Sequence, residues 1–412
     1  MSNVSISIRP AEIEMALRLA SASLKKTRPD YEACDPTAPQ DVHDWLQRLH
    51  SNAVPGKSFW SIDDRELSLL QSFLAREGAA KGGQMRETAD GFEAKFDTVD
   101  PGWIWSLRDW IKGLRKHTFL AAASTPTTIG NDLKIALLAD WGTGLYGAPV
   151  CAQSIDRIEK LDLIMHLGDV YYAGDRDEVN ERFLRFWPHR TDAMHCALNG
   201  NHEMYTGGKG YFDLILADAR FKQEASHFAF VNDYWLLVGV DTAYEEHDLY
   251  GGQDAWLQRL AERYPSQRLM LFSHHQPFSA FEGQGLKLVH KLSPLLNSQR
   301  VATWYWGHEH ACVRYDEHPM WKMRGRCVGH SGFPYFRFVD RSDQHVLKWV
   351  DYPGRRNVPA CQVLDGPNPF VREAPDEYGP NGYVTLELQG RKVHELYCDP
   401  TGTVVGEYEF TA

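Results

Sequence analysis

Side chains that commonly bind metal ions recur along this sequence at the ends of short apolar runs. Five such positions follow one another, and each has a glycine, proline or tyrosine nearby. They are Asp140; Asp169 with Tyr171 and Tyr172; Asn201 with His202 and Glu203; the pair His274 and His275; and His308 with His310. Carboxylates and imidazoles are the protein ligands that suit zinc, iron, manganese and cobalt. The pattern therefore indicates metal chemistry.

Short strands separated by helices must position these residues. Residues 133–140 and 163–169 are apolar runs that each end in a carboxylate, and residues 149–161 between them have helical spacing. A strand–helix–strand unit of this kind implies parallel pairing and a right-handed crossover. Further strands are expected within 234–240, 268–272 and 301–306. Ligands of open α/β sheets bind beyond the carboxyl ends of the strands, so the five loops should meet in one small volume.

Carboxylates and imidazoles crowded in this way need a compensating positive charge. The carboxylates would repel one another, and clustered neutral imidazoles would be desolvated without gain, whereas metal ions neutralise the charge and accept the lone pairs. The number of donors suits two metals about 3.5–4 Å apart that share one carboxylate, an arrangement that produces a hydroxide nucleophile at neutral pH. Core histidines and helix-cap carboxylates are the alternative reading. That reading has to explain five coincidences in one order.

The motifs resemble those of a known enzyme superfamily. Gly168-Asp169, Gly200-Asn201-His202-Glu203, His275-Gln276-Pro277 and Gly307-His308-Glu309-His310, in this order, are similar to those of calcineurin-like metallophosphoesterases. The stretch Gly168-Asp169-Val170-Tyr171-Tyr172 is closest to the Gly-Asp-x-x-Tyr motif of purple acid phosphatases. The resemblance covers residues 133–412 and implies an α/β (α+β) fold, with two packed mixed β-sheets flanked by helices.

The resemblance also implies a ligand set. Metal one would take Asp140, Asp169, Tyr172 and His310, and metal two would take Asp169, Asn201, His275 and His308, with Asp169 bridging. Of the adjacent histidines, His275 has the His-x-Pro spacing of the family, which leaves His274 as a packing or supporting residue. Many relatives have a metal-binding histidine where this chain has Gly142, and Tyr172 would replace it. A tyrosine phenolate favours Fe(III) at metal one, with Zn, Mn or Fe at metal two.

The implied activity is two-metal hydrolysis of a phosphoester, with a metal-activated hydroxide attacking a phosphomonoester. His202 would bind the phosphate and protonate the leaving oxygen, and Glu203 would either orient His202 or cap a helix. Two alternatives stay open. The same site could hydrolyse phosphodiesters such as cyclic nucleotides or phospholipid head groups, or the chain could be a non-catalytic metal-binding scaffold.

The chain is expected to have two parts. Residues 1–130, with helical spacing at 10–20, 41–49, 63–74 and 103–119, form a mostly helical region of unknown role that could mediate oligomer or partner contacts. Residues 131–412 form the catalytic domain. Its tail at 383–410 alternates apolar and polar residues, as strands of an antiparallel meander do.

The composition limits the kinds of binding partner and the cellular compartment that we expect for this protein. The net charge of −11, from 44 basic and 55 acidic residues, disfavours long nucleic acid. A phosphorylated small molecule is the substrate that the resemblance implies. The seven cysteines are odd in number and include no Cys-x-x-Cys pair, which argues against a disulfide framework. No secretory signal pattern and no apolar run of about 18 residues is present, so we expect a cytoplasmic protein without a transmembrane segment.

Overall fold

The computed structural model describes residues 114–123, 125–144, 146–337, 346–371 and 375–412, together with 7–8, 68, 86–88 and 91–93. The chain divides into two units, Met1–Arg115 and Lys116–Ala412, and this division falls ahead of the boundary expected near residue 130. In the first unit, the described strands β1 (Ser7–Ile8), β2 (Arg86–Thr88) and β3 (Gly91–Glu93) form an antiparallel sheet in the order β1-β3-β2.

Most of the helices predicted for the N-terminal region lie outside the described residues. This holds for the segments 10–20 and 41–49 in full. Within 63–74, Ser68 is described and is helical. Within 103–119, residues 114–119 are described and have no regular secondary structure.

The larger sheet of the second unit has nine strands among the described residues. Their order is β14-β15-β12-β13-β11-β10-β9-β8-β4. The strands are β4 (Thr127–Thr128), β8 (Phe228–Val231), β9 (Trp235–Gly239), β10 (Arg268–Ser273), β11 (Val301–Trp306), β12 (Cys312–Glu317), β13 (Arg324–Val328), β14 (Lys348–Tyr352) and β15 (Cys361–Asp365). Strands β9, β10, β11 and β13 run parallel to one another, so their carboxyl ends lie along one edge.

The smaller sheet has six strands in the described residues, in the order β18-β17-β16-β5-β6-β7. The strands are β5 (Asp132–Leu138), β6 (Leu163–His166), β7 (Met194–Ala197), β16 (Tyr383–Gln389), β17 (Lys392–Cys398) and β18 (Val404–Thr411). β5, β6 and β7 are parallel, and β16–β18 form the predicted antiparallel meander beside them. The predicted fold class, two mixed sheets with flanking helices, is confirmed.

Helices connect the strands. They are α1 (Gly147–Ile155), α2 (Arg176–Glu178), α3 (Asn201–Tyr205), α4 (Gln253–Arg263) and α5 (Leu286–Asn297), with π-helical turns at Val179–Leu184 and Tyr211–Ile215. Helix α1 joins β5 to β6 and completes the predicted strand–helix–strand unit. Within the described residues, no helix combines the length and apolar character needed to cross a bilayer.

The core follows from the two-residue periodicity of the strands. In β5, Ile135 and Leu137 pack with residues of both sheets, including Phe272 of β10, and they fill the space between the sheets. The alternate residues Ala136 and Leu138 point to the opposite face, where α1 covers them. Helices α4 and α5 cover the outer face of the nine-stranded sheet. Each sheet is therefore buried on both faces around β5 and β10, the strands that lead to the predicted site.

A buried histidine in this core has no hydrogen-bond partner among the described residues. His166 at the end of β6 is fully buried among the rings of Trp141, Phe183 and Trp187. Neither ring nitrogen has a hydrogen-bond partner among the described residues. Burial lowers the pKa of His166 to about 3. It is a core histidine, as its place inside an apolar run indicates.

We expect His166→Leu to raise the free energy of unfolding by about 1–2 kcal/mol at neutral pH, because it removes a buried polar group without a partner. The unfolded chain protonates this imidazole near pH 6.5, whereas the folded chain does so only near pH 3. Acid therefore favours unfolding of the wild type across that window. The variant should lose less stability between pH 6.5 and 3 in urea titrations. The expectation would be contradicted if the wild type and His166→Leu lost equal stability between pH 6.5 and 3. It would also be contradicted if His166→Leu raised the free energy of unfolding no more than His189→Leu, a control at an exposed position.

Candidate metal centre

The predicted metal-binding residues lie just beyond the carboxyl ends of five strands. They are Asp140 after β5, Asp169 and Tyr172 after β6, Asn201 after β7, His275 after β10, and His308 and His310 after β11. Both sheets contribute, since β5–β7 belong to the smaller sheet and β10 and β11 to the larger one. The crevice expected from the sequence is therefore built from both sheets of the sandwich.

The backbone at this site turns sharply. Four residues adopt the left-handed region, with φ of 55° at Asp140, 75° at Asp169, 70° at His308 and 52° at His310. Non-glycine residues adopt this region at a cost of order 1–3 kcal/mol, and such residues cluster at functional sites. At Gly200, a Cβ atom would collide with the Asp169 carboxylate, so only glycine lets the two loops approach so closely.

Asp140 joins the first loop to the last one. Its buried carboxylate accepts the backbone N–H of His308 at 2.9 Å, and Nε2 of His310 lies 3.6 Å from Oδ1. The Asp140 carbonyl accepts the backbone N–H groups of Gly332 and Phe333, each at 3.1 Å. The carboxylate is thus held facing the two histidines of the Gly-His-Glu-His motif.

Asp169 lies at the centre of the cluster. Its Oδ1 accepts the backbone N–H of His202 at 3.2 Å, and its Oδ2 accepts the Tyr171 hydroxyl at 3.2 Å. Nε2 of His274 lies 3.3 Å from the same Oδ2. Burial raises the pKa of Asp169, but the nearby His274 and His202 overcome this effect and hold that pKa well below its usual range. The environment therefore favours the charged form of this carboxylate.

His274 also reaches the next predicted ligand. Its Nδ1 donates to the carbonyl of Leu167 at 2.9 Å, and its Nε2 lies 2.9 Å from Oδ1 of Asn201. The amide nitrogen of Asn201 donates to the Tyr205 hydroxyl at 2.7 Å, which fixes the direction of Oδ1. Burial lowers the pKa of His274, but Asp169 outweighs this and raises it to about 10. Nε2 of His274, Oδ1 of Asn201 and Oδ2 of Asp169 therefore lie close together.

This arrangement differs from the sequence prediction for the adjacent histidines. The His-x-Pro spacing selected His275 as the ligand and left His274 as a supporting residue. In the structure His274 contacts Asp169 and Asn201. Consecutive side chains of an extended segment point to opposite sides, so the spacing to Pro277 could not decide which imidazole turns inward.

His275 faces a different set of neighbours. Its Nδ1 lies 3.0 Å from Oγ1 of Thr242, and its backbone N–H donates to the same oxygen at 3.0 Å. Its Nε2 is buried without a hydrogen-bond partner among the described residues. The ring of His247 lies 4.0 Å from the His275 ring, centre to centre. Neither His247 nor Thr242 was predicted from the sequence, although Thr242 lies just beyond the carboxyl end of β9, as Asp169 does after β6.

The two tyrosines also occupy different places. The Tyr171 hydroxyl lies against Asp169 and hydrogen-bonds Nε2 of His310. Tyr172, the predicted ligand, has its ring under the guanidinium of Arg182, and its carbonyl accepts Nδ1 of His202 at 2.5 Å. These contacts bring the hydroxyl of Tyr171, one position earlier in the chain than the predicted ligand, to the Asp169 carboxylate and to His310.

Glu203 organises the backbone of the site. Its carboxylate accepts the N–H groups of Asp169 at 3.1 Å, Val170 at 3.0 Å and Gly200 at 2.8 Å. Burial and the neighbouring Asp169 raise the pKa of Glu203 to about 8. Of the two readings of Glu203, the contacts match the helix cap, extended to the Asp169 loop. His202 is oriented instead by the Tyr172 carbonyl.

The donor atoms fit metal ions at three positions. Three groups have ligand atoms within 4.8 Å of one another: Asp140, Asp169 and His310; Asp169, His274 and His308; and His247, His275 and His308. The first two groups share Asp169, which suits two metals bridged by one carboxylate. They combine carboxylate and imidazole donors, a mixture that suits iron, manganese or zinc.

Comparison with known proteins agrees with this geometry. Residues 133–312 match the family described as calcineurin-like phosphoesterase, and this segment contains every donor named above. No curated protein sequence matches the chain significantly.

Several solved structures match part of this chain at low sequence identity. GAP50, the anchor in the inner membrane complex of Plasmodium, is 12% identical, covers 68% of this chain and 89% of its own, and has a TM-score of 0.47. PhoD is 12% identical over 71% of this chain and 70% of its own, with a TM-score of 0.42. Vacuolar protein sorting 29 from Cryptosporidium parvum is 11% identical over 69% and 100%, with a TM-score of 0.35.

Proposed function

We propose that this protein, whose residues 133–312 match the calcineurin-like phosphoesterase family, hydrolyses phosphoesters at a two-metal centre. The observation that carries the proposal is the pair of buried donor groups that meet at Asp169. A fully buried carboxylate with four imidazoles nearby, those of His202, His274, His308 and His310, has no evident purpose in packing alone. Two cations, one on each side of Asp169, would explain why this carboxylate is buried here.

The ligands follow from the contacts. Metal one would be held by Asp140, Asp169 and His310, with a tyrosine as a further donor. Metal two would be held by Asp169, Asn201, His274 and His308. This set differs from the sequence prediction by His274 in place of His275, because His274 lies 2.9 Å from Asn201 and 3.3 Å from Asp169.

When bound, the metal ions would activate a water nucleophile and stabilise the charge of the phosphoryl group. The protein would supply orientation and proton transfer. Nδ1 of His202 donates to the Tyr172 carbonyl, so Nε2 is the atom that can take up or release a proton toward a leaving oxygen. Nε2 lies 3.9 Å from Oδ2 of Asp169, which places His202 beside both donor groups. Glu203 holds the loop and helix that carry Asp169 and His202.

For the substrate class we favour phosphomonoesters, on the similarity of the Gly168 to Tyr172 motif to that of purple acid phosphatases. Phosphodiesters are the second candidate, since the same metals serve both. Turnover of p-nitrophenyl phosphate against bis-p-nitrophenyl phosphate by the metal-loaded protein separates them. A folded protein that takes up no metal above background would overturn both.

His202→Ala tests whether the domain is an enzyme or a metal-binding scaffold. We expect a 10²–10³-fold loss of turnover with metal content retained, because the variant removes a proton donor and no ligand. His189→Ala, at an exposed position, should behave like the wild type. Turnover within threefold of the wild type would exclude the proton-transfer role. If the wild type and both variants bind metal but none of them turns over substrate, the result would favour a non-catalytic metal-binding scaffold.

Paired tyrosine variants test iron at metal one. A tyrosine phenolate on Fe(III) gives a visible charge-transfer band, so the iron-loaded, air-oxidised wild type should be coloured. From the position of its hydroxyl, we expect Tyr171→Phe to lose the band and Tyr172→Phe to keep it. The opposite result would restore the sequence prediction of Tyr172. A colourless wild type with confirmed iron would remove both tyrosines from the ligand set.

Two further expectations from the sequence are kept as proposals. The six cysteines among the described residues are buried free thiols, which supports a reducing, cytoplasmic location. For residues 1–130 we propose a role in oligomer or partner contacts, on their sequence pattern alone.

A further inference from the structure

The third donor group has no part in the proposed hydrolysis. His247, His275 and His308 have ring nitrogens within 4.8 Å of one another. Their ring centres lie 4.0 Å apart for His247 and His275, 4.6 Å for His275 and His308, and 5.3 Å for His247 and His308. His308 also belongs to the donor group of metal two, so the third group lies directly beside the proposed centre.

The loop that carries His247 is anchored on both sides. Before it, the Asp241 carboxylate accepts the backbone N–H groups of Ala243 at 3.0 Å and Tyr244 at 2.8 Å. After it, Lys291 of α5 lies 2.6 Å from the Asp248 carboxylate and donates to the Leu249 carbonyl at 2.6 Å. The half-buried His247 is thus held over His275 by contacts independent of any ligand.

His275 supplies a second, independent observation. Its Nε2 is fully buried and has no hydrogen-bond partner among the described residues. A buried polar atom of this kind needs an explanation, and an absent ion is a common one. When Nδ1 donates its hydrogen to Thr242, Nε2 keeps the lone pair that a metal ion takes, and the hydrogen bond fixes the ring for it.

We propose that His247, His275 and His308 form an outer zinc position that competes with metal two for His308. Imidazole-only donors suit Zn(II) better than Mg(II), Ca(II) or Mn(II). A neutral imidazole offers one lone pair, so His308 can serve the outer position or metal two, and not both. Excess zinc would therefore inhibit the enzyme by withdrawing His308 from the centre. The inhibition rests on the proposed function, whereas zinc binding does not.

Zinc affinity of the manganese-loaded, full-length protein tests the position. We expect His247→Asn to weaken zinc binding at least about tenfold in competition with a chromophoric chelator. Asparagine is chosen because φ is 54° at His247 and asparagine tolerates the left-handed region. His290→Asn, at an exposed position on α5, is the matched control and should bind as the wild type does. Simple replacement of manganese by zinc at metal two would be indifferent to His247. Equal affinities in all three proteins would therefore overturn the proposal.

Turnover against free zinc tests the competition. With p-nitrophenyl phosphate and each protein scaled to its own zinc-free rate, half-inhibition of His247→Asn should need about tenfold more zinc than the wild type needs. Weaker zinc binding without this shift would refute the competition for His308. Absence of turnover in every protein would refute the proposed function, and the binding measurement would still decide the outer position. If His247→Asn does not fold, Thr242→Val, which removes the hydrogen bond to Nδ1 of His275, takes its place with the same expected direction.

Discussion

Asp169→Asn should lower turnover of the metal-loaded protein by about 10³-fold or more and release at least one of the two metals. Asp169 belongs to both carboxylate-containing donor groups, so losing its charge weakens both positions at once. The asparagine keeps the shape and one oxygen, and the backbone N–H of His202 can still find an acceptor. Elemental analysis after gel filtration, with turnover of p-nitrophenyl phosphate, measures the two effects together.

Asp177→Asn is the matched control, since it makes the same chemical change at an exposed position on α2. It should retain both metals and full turnover. A folded Asp169→Asn protein that keeps two metals and works within tenfold of the wild type would contradict a bridging carboxylate. Loss of metal with normal far-ultraviolet circular dichroism is the result that the geometry requires.

The carboxylate core of the site was predictable because it depends on strand ends. Asp140 and Asp169 each follow an apolar run, and parallel pairing of β5 with β6 brings the ends of such runs to one edge of the sheet. The sequence shows both the runs and the helical spacing between them. The C-terminal meander followed from the same kind of periodicity, whereas the fold class of two packed mixed sheets came from the resemblance of the motifs to those of calcineurin-like metallophosphoesterases.

Choices between adjacent residues were not predictable in this way. His274 and His275, like Tyr171 and Tyr172, are neighbours whose side chains leave the backbone in different directions. A motif spacing fixes the segment, but the local torsions fix the direction. The left-handed φ of 75° at Asp169 is one such torsion, and a Cβ atom at Gly200 would collide with the carboxylate of this residue.

Contacts from separate loops were beyond the sequence. His247 lies in a loop after β9, and contacts of that loop with Asp241 and Lys291 hold it where His247 meets His275. Glu203 could be read from the sequence as a cap or as a partner of His202. Its hydrogen bonds to Asp169 and Val170 connect two loops more than thirty residues apart.

A buried ion pair joins the two sheets and is equally invisible in the sequence. Arg326 of β13 donates its Nε to the Glu395 carboxylate of β17 at 2.8 Å, and both side chains are fully buried. The same carboxylate accepts the hydroxyls of Tyr305 at 2.6 Å and Tyr397 at 2.9 Å. Arg326 also donates to the carbonyl of Tyr315 at 2.8 Å. The guanidinium of Arg326 and the carboxylate of Glu395 thus have hydrogen-bond partners within the protein. Removing the charge of either residue leaves the opposite charge buried without a counter-ion.

Glu395→Gln should therefore lower the free energy of unfolding by about 3–5 kcal/mol, because it leaves the Arg326 guanidinium buried without a counter-ion. Glutamine keeps the size of the side chain and one acceptor for the tyrosines, so the loss reports the charge rather than a cavity. The exposed pair of Lys392 and Glu409 on the same sheet supplies the control, and Glu409→Gln should cost less than about 1 kcal/mol. Urea unfolding of the two variants at neutral pH compares the costs. Similar shifts in both would mean that water reaches Arg326, and that the joint between the sheets depends on apolar packing alone.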